Sequence, residues 1–272
     1  MSTKPVVLTI ISEKELPQPT SPLGMLTGIF TQDPRVVYLK HFTAVNVKFA
    51  AYDRGFGKVI DQAGCERHSW EYLEMRSLEQ AEVLAKKLAT KCYQHQIKVF
   101  NANAEAGTSG TTPYSPYPNP YYVLQHFVKI FRLCAPSYTE LWYNGFSWGV
   151  TSDGRRLHDA PLINLFDAWC PMNYGTSAAG IEKYWNDKCF KYRNRLPDLQ
   201  VIPMLGVGRV DKDGSTWGFW ATHKKLLTTT PVNGVSFYFG NGAKSQMLVG
   251  NKKHPALIAC VQDLRDSPGW EV

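Results

Sequence analysis

The chain has 272 residues, 44% of them hydrophobic and 19% charged, an ordinary composition for a globular protein with a real core that gives no reason to expect disorder. No apolar run approaches the roughly 20 residues needed to cross a bilayer, and the start (MSTKPVVLTIISEKELPQPT) lacks a long apolar stretch ahead of its charges, so neither a membrane span nor a cleaved leader is expected. Thirty Lys and Arg against 23 Asp and Glu give a formal charge of +7, but the basic residues are scattered in pairs such as Lys86 with Lys87 and Lys224 with Lys225, the habit of a solvated helix face, and a nucleic-acid partner is not expected.

Taken in order, eight β-rich runs recur at residues 6–11, 44–51, 70–75, 97–105, 139–147, 168–174, 199–207 and 234–240. Helical patterns lie between them. Ser77 with Gln80 three residues later forms a capping-box pattern, and Leu78, Ala81, Leu84, Leu88 and Cys92 then share one helical face. Asn119 and Pro120 read as an N-cap and first-turn proline, followed by a stripe of Val123, Phe127, Ile130, Phe131 and Cys134 that Pro136 ends. Ile181, Tyr184, Trp185 and Lys188 begin a third helix. A fourth covers residues 215–227, with Trp217, Trp220, His223 and Leu227 on one face. Residues 17–34 hold four prolines and two glycines without periodicity and are expected to be an irregular connection.

Strands alternating with helices imply parallel βαβ units. Domains usually hold roughly 100–200 residues, but α/β barrels of about 250 form one, so the expectation is a single eight-stranded parallel (β/α)8 TIM barrel over residues 1–272. A doubly wound open sheet would show a Gly-rich phosphate turn after an early strand, and none is present. The six cysteines have no CxxC spacing and are expected to be reduced, mostly buried thiols. The seven histidines show no HxH or HExxH spacing, so no metal site is expected, and no Walker or Rossmann glycine pattern points to a cofactor.

Alternation along the fourth run is informative. Phe100, Ala102 and Ala104 suit the helix-facing side, which leaves Asn101, Asn103 and Glu105 pointing into the barrel. Polar side chains there are costly without partners, and barrel enzymes place their chemistry at the C-terminal ends of the strands, so Glu105 is the leading candidate. A Gly, Ser, Pro and Tyr loop follows at residues 107–120. Other strand ends supply Trp142, Tyr143 and Asn144, then Met172, Asn173 and Tyr174, then Tyr238. Aromatic faces beside amides suit neutral sugar rings. The second run adds Lys48, on the opposite parity from Val45 and Val47, and then Asp53.

The segments VNVKFAAYDRG, HSWEYLEM, SLEQAEVLA and KVFNANAEAG resemble the barrels of glycoside hydrolases and their phage-tail relatives, including the family-25-like lysozymes, and CPMNYG is similar to the M-x-Y element of chitinase-like barrels. The resemblance covers residues 44–243 and adds Trp70 as the aromatic of the third strand. It implies a barrel that acts on or binds a bacterial cell-wall or surface glycan, with Glu105 as general acid. The alternative is a non-catalytic structural or glycan-binding subunit of a phage tail or virion, partnered by other subunits. Either implies a cytoplasmic or virion-associated protein. The chain departs from the lysozyme-like D-x-E pattern in having Asn103 before Glu105, and no glutamate ends the seventh run (VIPMLGVGR) to supply the second carboxyl a glycosidase normally uses. Substrate-assisted cleavage relaxes that need, with Asn103, Tyr174 and Asp53 as candidates to orient the participating group.

Overall fold

The computed structural model describes residues 4–17, 33–103, 121–145, 166–173, 177–186, 198, 200–206, 219–239 and 250–270. Its strands are β1 (Val6–Ile10), β2 (Ala44–Val47), β3 (Glu66–Tyr72), β4 (Val99–Asn103), β5 (Glu140–Gly145), β6 (Ala168–Asn173), β7 (Gln200–Val201), β8 (Met204–Gly206) and β9 (Val235–Phe239). Its helices are α1 (Pro34–Leu39), α2 (Phe49–Asp53), α3 (Gly57–Gln62), α4 (Leu78–His95), α5 (Tyr121–Cys134), α6 (Ala178–Tyr184), α7 (Trp220–Thr229) and α8 (Gly250–Arg265). The strands are hydrogen-bonded in the order β5-β4-β3-β2-β1-β9-β8-β6-β7, and β5 also pairs with β6, so the sheet returns on itself. This is a closed, parallel, eight-stranded (β/α)8 barrel. The short β7 and β8 together fill the stretch expected as strand seven; Pro203, with no N–H to give a ladder, lies between them.

The chain divides into two compact units, one of Met1–Arg67, Tyr174–Glu182 and Leu205–Val272 and one of His68–Asn173 and Lys183–Met204. In the first, β1 pairs in parallel with β2 and β9, with Leu8 in register with both Val45 and Phe237. Those three are buried apolar residues, and Phe237 meets Trp220 of α7 at 6.1 Å, which identifies the helix-facing side. On the opposite side Thr9, Asn46 and Ser236 are linked: the Asn46 amide donates to Thr9 Oγ1 at 3.1 Å, and the Thr9 and Ser236 hydroxyls are 2.7 Å apart. Asp263 of α8 ties the outer layer to α7 by accepting from the Trp220 indole (2.7 Å) and from Lys224 (2.6 Å).

The second run ends earlier than its alternation indicates. β2 stops at Val47, Lys48 occupies the N-cap position, and Phe49–Asp53 is helical. Phe49 and Ala51 continue the period of two, but Phe49, Tyr52 and Phe56 also recur at three and four residues, and all three are buried on that helical spacing. The Tyr52 hydroxyl reaches back to the Val45 carbonyl at 3.4 Å.

In the second unit β3, β4, β5, β6 and β7 pair in parallel sequence. Ser77 caps α4 as its sequence indicates, accepting from the Gln80 N–H at 3.1 Å, whereas the Gln80 side chain accepts from Arg76 N–H (2.8 Å). The buried face of α4 runs through Ala81, Ala85, Leu88, Ala89 and Cys92, and Leu78 and Leu84 lie half-buried at its flanks. On α5, Phe127 stacks on Phe131 and Phe131 on Phe100 of β4, at 5.9 and 5.2 Å. Five cysteines are described and all are free; Cys134, expected on the buried stripe, is exposed at the last turn of α5, while Cys65, Cys92, Cys170 and Cys260 are buried. Among the described residues no helix is long and apolar enough to cross a membrane.

Candidate active site

The Phe100–Phe131 stack fixes the facing of β4: Phe100 and Ala102 look toward the helices, and Asn101 and Asn103 look the other way. Parallel register carries that face across the neighbouring strands. Trp70, Asn101, Trp142 and Ala168 form one tier, and Tyr72, Asn103, Asn144 and Cys170 form the next tier toward the strands' C-terminal ends. Met172 follows Cys170 on the same parity of β6.

The lower tier is a packed floor. Trp70 and Trp142 are only 2% and 3% exposed. The Trp142 indole N–H donates to Glu140 Oε2 at 2.8 Å, back toward the start of β5, and His68 meets its ring edge-on at 5.3 Å. The indole is thereby committed to the interior, and the small Ala168 leaves room beside it. Asn101, fully buried between the two tryptophans in register, has neither amide atom hydrogen-bonded among the described residues. The Cys170 thiol faces it without reaching hydrogen-bond geometry, and burial pushes that thiol's pKa far above the ordinary range.

The upper tier is where the face opens. Asn144 donates weakly to the Met204 sulfur at 3.8 Å, and its Oδ1 is buried with no partner among the described residues. Asn103 is 5% exposed and its carbonyl accepts from Leu73 N–H at 3.0 Å, extending the β3–β4 ladder past the end of β3. Tyr72 is 42% exposed, and its ring is braced edge-on by Trp70 at 5.3 Å. A burial penalty of about 1–3 kcal/mol for each unsatisfied polar group makes the free amide atoms sites where water or ligand oxygens are strongly favoured.

The expected residues are therefore sorted by the structure. Trp70, Asn101, Asn103, Trp142, Asn144 and Met172 share one face of the second unit. Tyr143 does not: it lies on the opposite side, against Phe166 at 5.3 Å, and Asn173 falls on the parity of Trp169, also away from the amides. In the first unit, Tyr238 is half-buried on the Thr9 and Ser236 side of β9, Lys48 is half-buried just past β2, and Asp53 is exposed in the last turn of α2 instead of on a strand. Glu105 and Tyr174 lie outside the described residues, as does the loop at 107–120. Tyr72 and His68 were not anticipated. The alternation His68, Trp70, Tyr72 in HSWEY carried the signal for both, because all three share the parity of the strand's inward tryptophan. Among the described residues no group of three His, Cys, Asp or Glu side chains could hold a metal ion.

A closed parallel barrel with amides and an exposed tyrosine at its strand ends belongs to an architecture that many enzymes share, glycoside hydrolases among them. A chitinase from Rhizomucor miehei is similar over 95% of this chain and 99% of its own, with a TM-score of 0.58 at 10% identity. A family 18 N-acetylglucosaminidase from Paenibacillus barengoltzii is similar over 93% and 99%, with a TM-score of 0.57 at 8% identity. Fungal β-1,4-galactanases reach 0.59 at 9% identity over 85% and 91%. Likeness at such identity establishes the fold. No family model and no curated protein matches the sequence.

Proposed function

We propose that this protein binds a glycan at the C-terminal ends of its barrel strands and hydrolyses it, with Glu105 as the general acid. The observation that carries the reading is the braced, exposed ring of Tyr72 on the same face as Asn103 and Asn144. A pyranose offers a C–H face that stacks on such a ring and hydroxyls that both donate and accept, and the free Oδ1 of Asn144 supplies an acceptor for them. Glycosidase neighbours among the solved structures support a carbohydrate-active barrel. In sequence Glu105 stands two residues beyond Asn103, and as the acid it would protonate the departing glycosidic oxygen. Asn103 is neutral, so the attacking group is another carboxylate, a water activated by one, or the substrate's own substituent.

Glu105→Gln tests the assignment: turnover of a cleaved glycan falls by about 10²-fold or more while its binding persists, the usual scale for losing a general acid. Undiminished turnover refutes it. Peptidoglycan and capsular polysaccharides are the substrates to assay first, following the lysozyme-like segments. One observation favours a second reading, a glycan-binding subunit without catalysis such as a phage tail or virion would carry: toward the C-terminal ends of β3–β6 the described inward face presents amides, a thiol and aromatics but no carboxylate. Binding of a glycan by wild-type protein that never cleaves it would decide for that reading.

A further inference from the structure

The paired residues around Tyr72, Asn103 and Asn144 hold no carboxylate on that face, but the chain leaving β3 supplies one just beyond them. The β3–β4 ladder runs one residue past β3, through the Leu73 N–H and the Asn103 carbonyl at 3.0 Å. Burial then alternates: Leu73 and Met75 are 2% and 0% exposed, whereas Glu74 and Arg76 are open to solvent. Such alternation marks extended chain, and it carries the parity of Trp70 and Tyr72 on to Glu74. Two residues of extended chain put the Glu74 Cα about 7 Å beyond that of Tyr72, on the side of the braced ring. The Glu74 side chain makes no hydrogen bond or ion pair with a described residue. The other described carboxylates of this unit stand elsewhere. Glu140 opens β5 and holds the Trp142 indole; Asp167 precedes β6 and accepts from Arg132 and from the Leu141 N–H. Asp198 precedes β7, Glu79 and Glu82 belong to α4, and Glu71 has the parity of Ser69, away from the tyrosine. Among the unit's described residues, Glu74 alone brings a carboxylate to the C-terminal end of a strand.

That end is the one at which this architecture places its chemistry. We propose that Glu74 is the second carboxyl of the glycan hydrolysis, the general base that activates the attacking water. The inference rests on the hydrolytic reading above, which names an acid and leaves its partner open. In the step, the oxygen of a water forms a bond to the anomeric carbon of a sugar stacked on Tyr72, while the bond from that carbon to the glycosidic oxygen breaks. The Glu74 carboxylate takes a proton from the water, and Glu105 gives its own to the departing oxygen. Exposure suits Glu74 to this part, because a base must keep a water beside it, and no described residue competes for its oxygens. Attack by water rather than by the carboxylate inverts the configuration at the anomeric carbon.

The experiment measures turnover of soluble peptidoglycan glycan strands and of capsular polysaccharide by wild type, Glu74→Gln, Glu74→Ala and Glu105→Gln, with and without sodium azide. Proton NMR follows the anomeric configuration of the first product. Glu74→Gln is expected to keep the wild-type urea midpoint, because no described residue bonds to the side chain. Its turnover falls by about 10²-fold or more, while affinity for the glycan stays within about threefold. Azide attacks without needing a base, so it raises cleavage by Glu74→Ala at least about tenfold and leaves a glycosyl azide. It restores nothing to Glu105→Gln, which still lacks the proton for the departing oxygen. Wild type releases the inverted product. The inference alone is overturned if wild type cleaves a glycan and Glu105→Gln does not, yet Glu74→Gln keeps full turnover, azide fails to rescue Glu74→Ala, or the product retains its configuration. Wild type that cleaves neither glycan overturns the hydrolytic reading, and this assignment with it.

Discussion

Removing the Glu15 charge should stabilise the fold at alkaline pH and not at acid pH. Glu15 ends the 3-10 turn Glu13–Glu15 after β1, and burial, only partly offset by the N–H groups of Ile11 and Ser12, makes the folded protein hold its proton more tightly than the unfolded chain does, about 7 against 4.5. The group's stabilisation is therefore complete below pH 4.5 and is lost as pH rises to about 7. At about 1.4 kcal/mol for each tenfold change in proton affinity, that interval sets an upper limit of about 3.5 kcal/mol, and partial exposure of the side chain reduces it to about 1–2 kcal/mol. The wild-type profile is not itself diagnostic, because His223 works in the opposite direction over an overlapping range. Burial lowers its pKa from 6.5 to about 4, so its contribution is present above pH 6.5 and is lost as pH falls through 4. The quantity to measure is the difference between Glu15→Gln and wild type in urea unfolding at pH 5 and at pH 8, where the His223 contribution cancels. It should grow in favour of the variant by about 1–2 kcal/mol between the two. A difference that stays constant, or grows in favour of wild type, would refute the environment described for this carboxyl.

Other substitutions test the tiers. Asn101→Val replaces a buried amide that has no hydrogen-bond partner among the described residues by a β-favouring apolar side chain, and should stabilise by about 1–3 kcal/mol, roughly 2–4 °C in Tm for each kcal/mol, by thermal denaturation. Loss of stability instead would show that ordered water satisfies the amide. Trp142→Phe removes the bond to Glu140 and should cost about 1–3 kcal/mol in chemical denaturation, while glycan affinity stays within about twofold, because the indole faces the interior. Ser77→Ala should cost about 1 kcal/mol, the usual worth of an N-cap, by the same assay.

The barrel was legible because most of its strands are buried and so stand out as short β-rich runs, and because amphipathic helical patterns, Ser77-capped α4 most plainly, recur between them. Ser77 marked the start of α4 to the residue. The error at β2 has a definite cause. A strand with period two and the first turn of a helix both place an apolar residue at alternate positions, and in Val45, Val47, Phe49 and Ala51 nothing distinguishes them until Tyr52 and Phe56 reveal a spacing of three and four. Asp53 consequently moved from a strand end to a helix surface. Cys134 failed for a different reason: a stripe defined by Val123, Phe127 and Phe131 drifts as it is extended, and at the final turn of α5 it leaves the thiol exposed.

Parity separated the residues where polar side chains interrupt an apolar strand, as with Asn101 and Asn103, whereas the aromatics and amide of β5 rested on composition alone. In Trp142, Tyr143 and Asn144 composition alone favours all three as ligands, yet only the alternation of β5 separates Tyr143, turned to Phe166, from the other two. Glu15 was invisible for a more basic reason. Its character comes from burial without a paired cation among the described residues, and from a backbone N–H four residues earlier in the chain. Sequence gives Glu13 and Glu15 as equivalent acids in a Pro-flanked turn; the guanidinium of Arg54, 41 residues away along the chain, selects one and leaves the other to carry a proton. A strand end in this barrel is thus read correctly from its own residues when burial decides their roles, and needs the fold when a distant charge does.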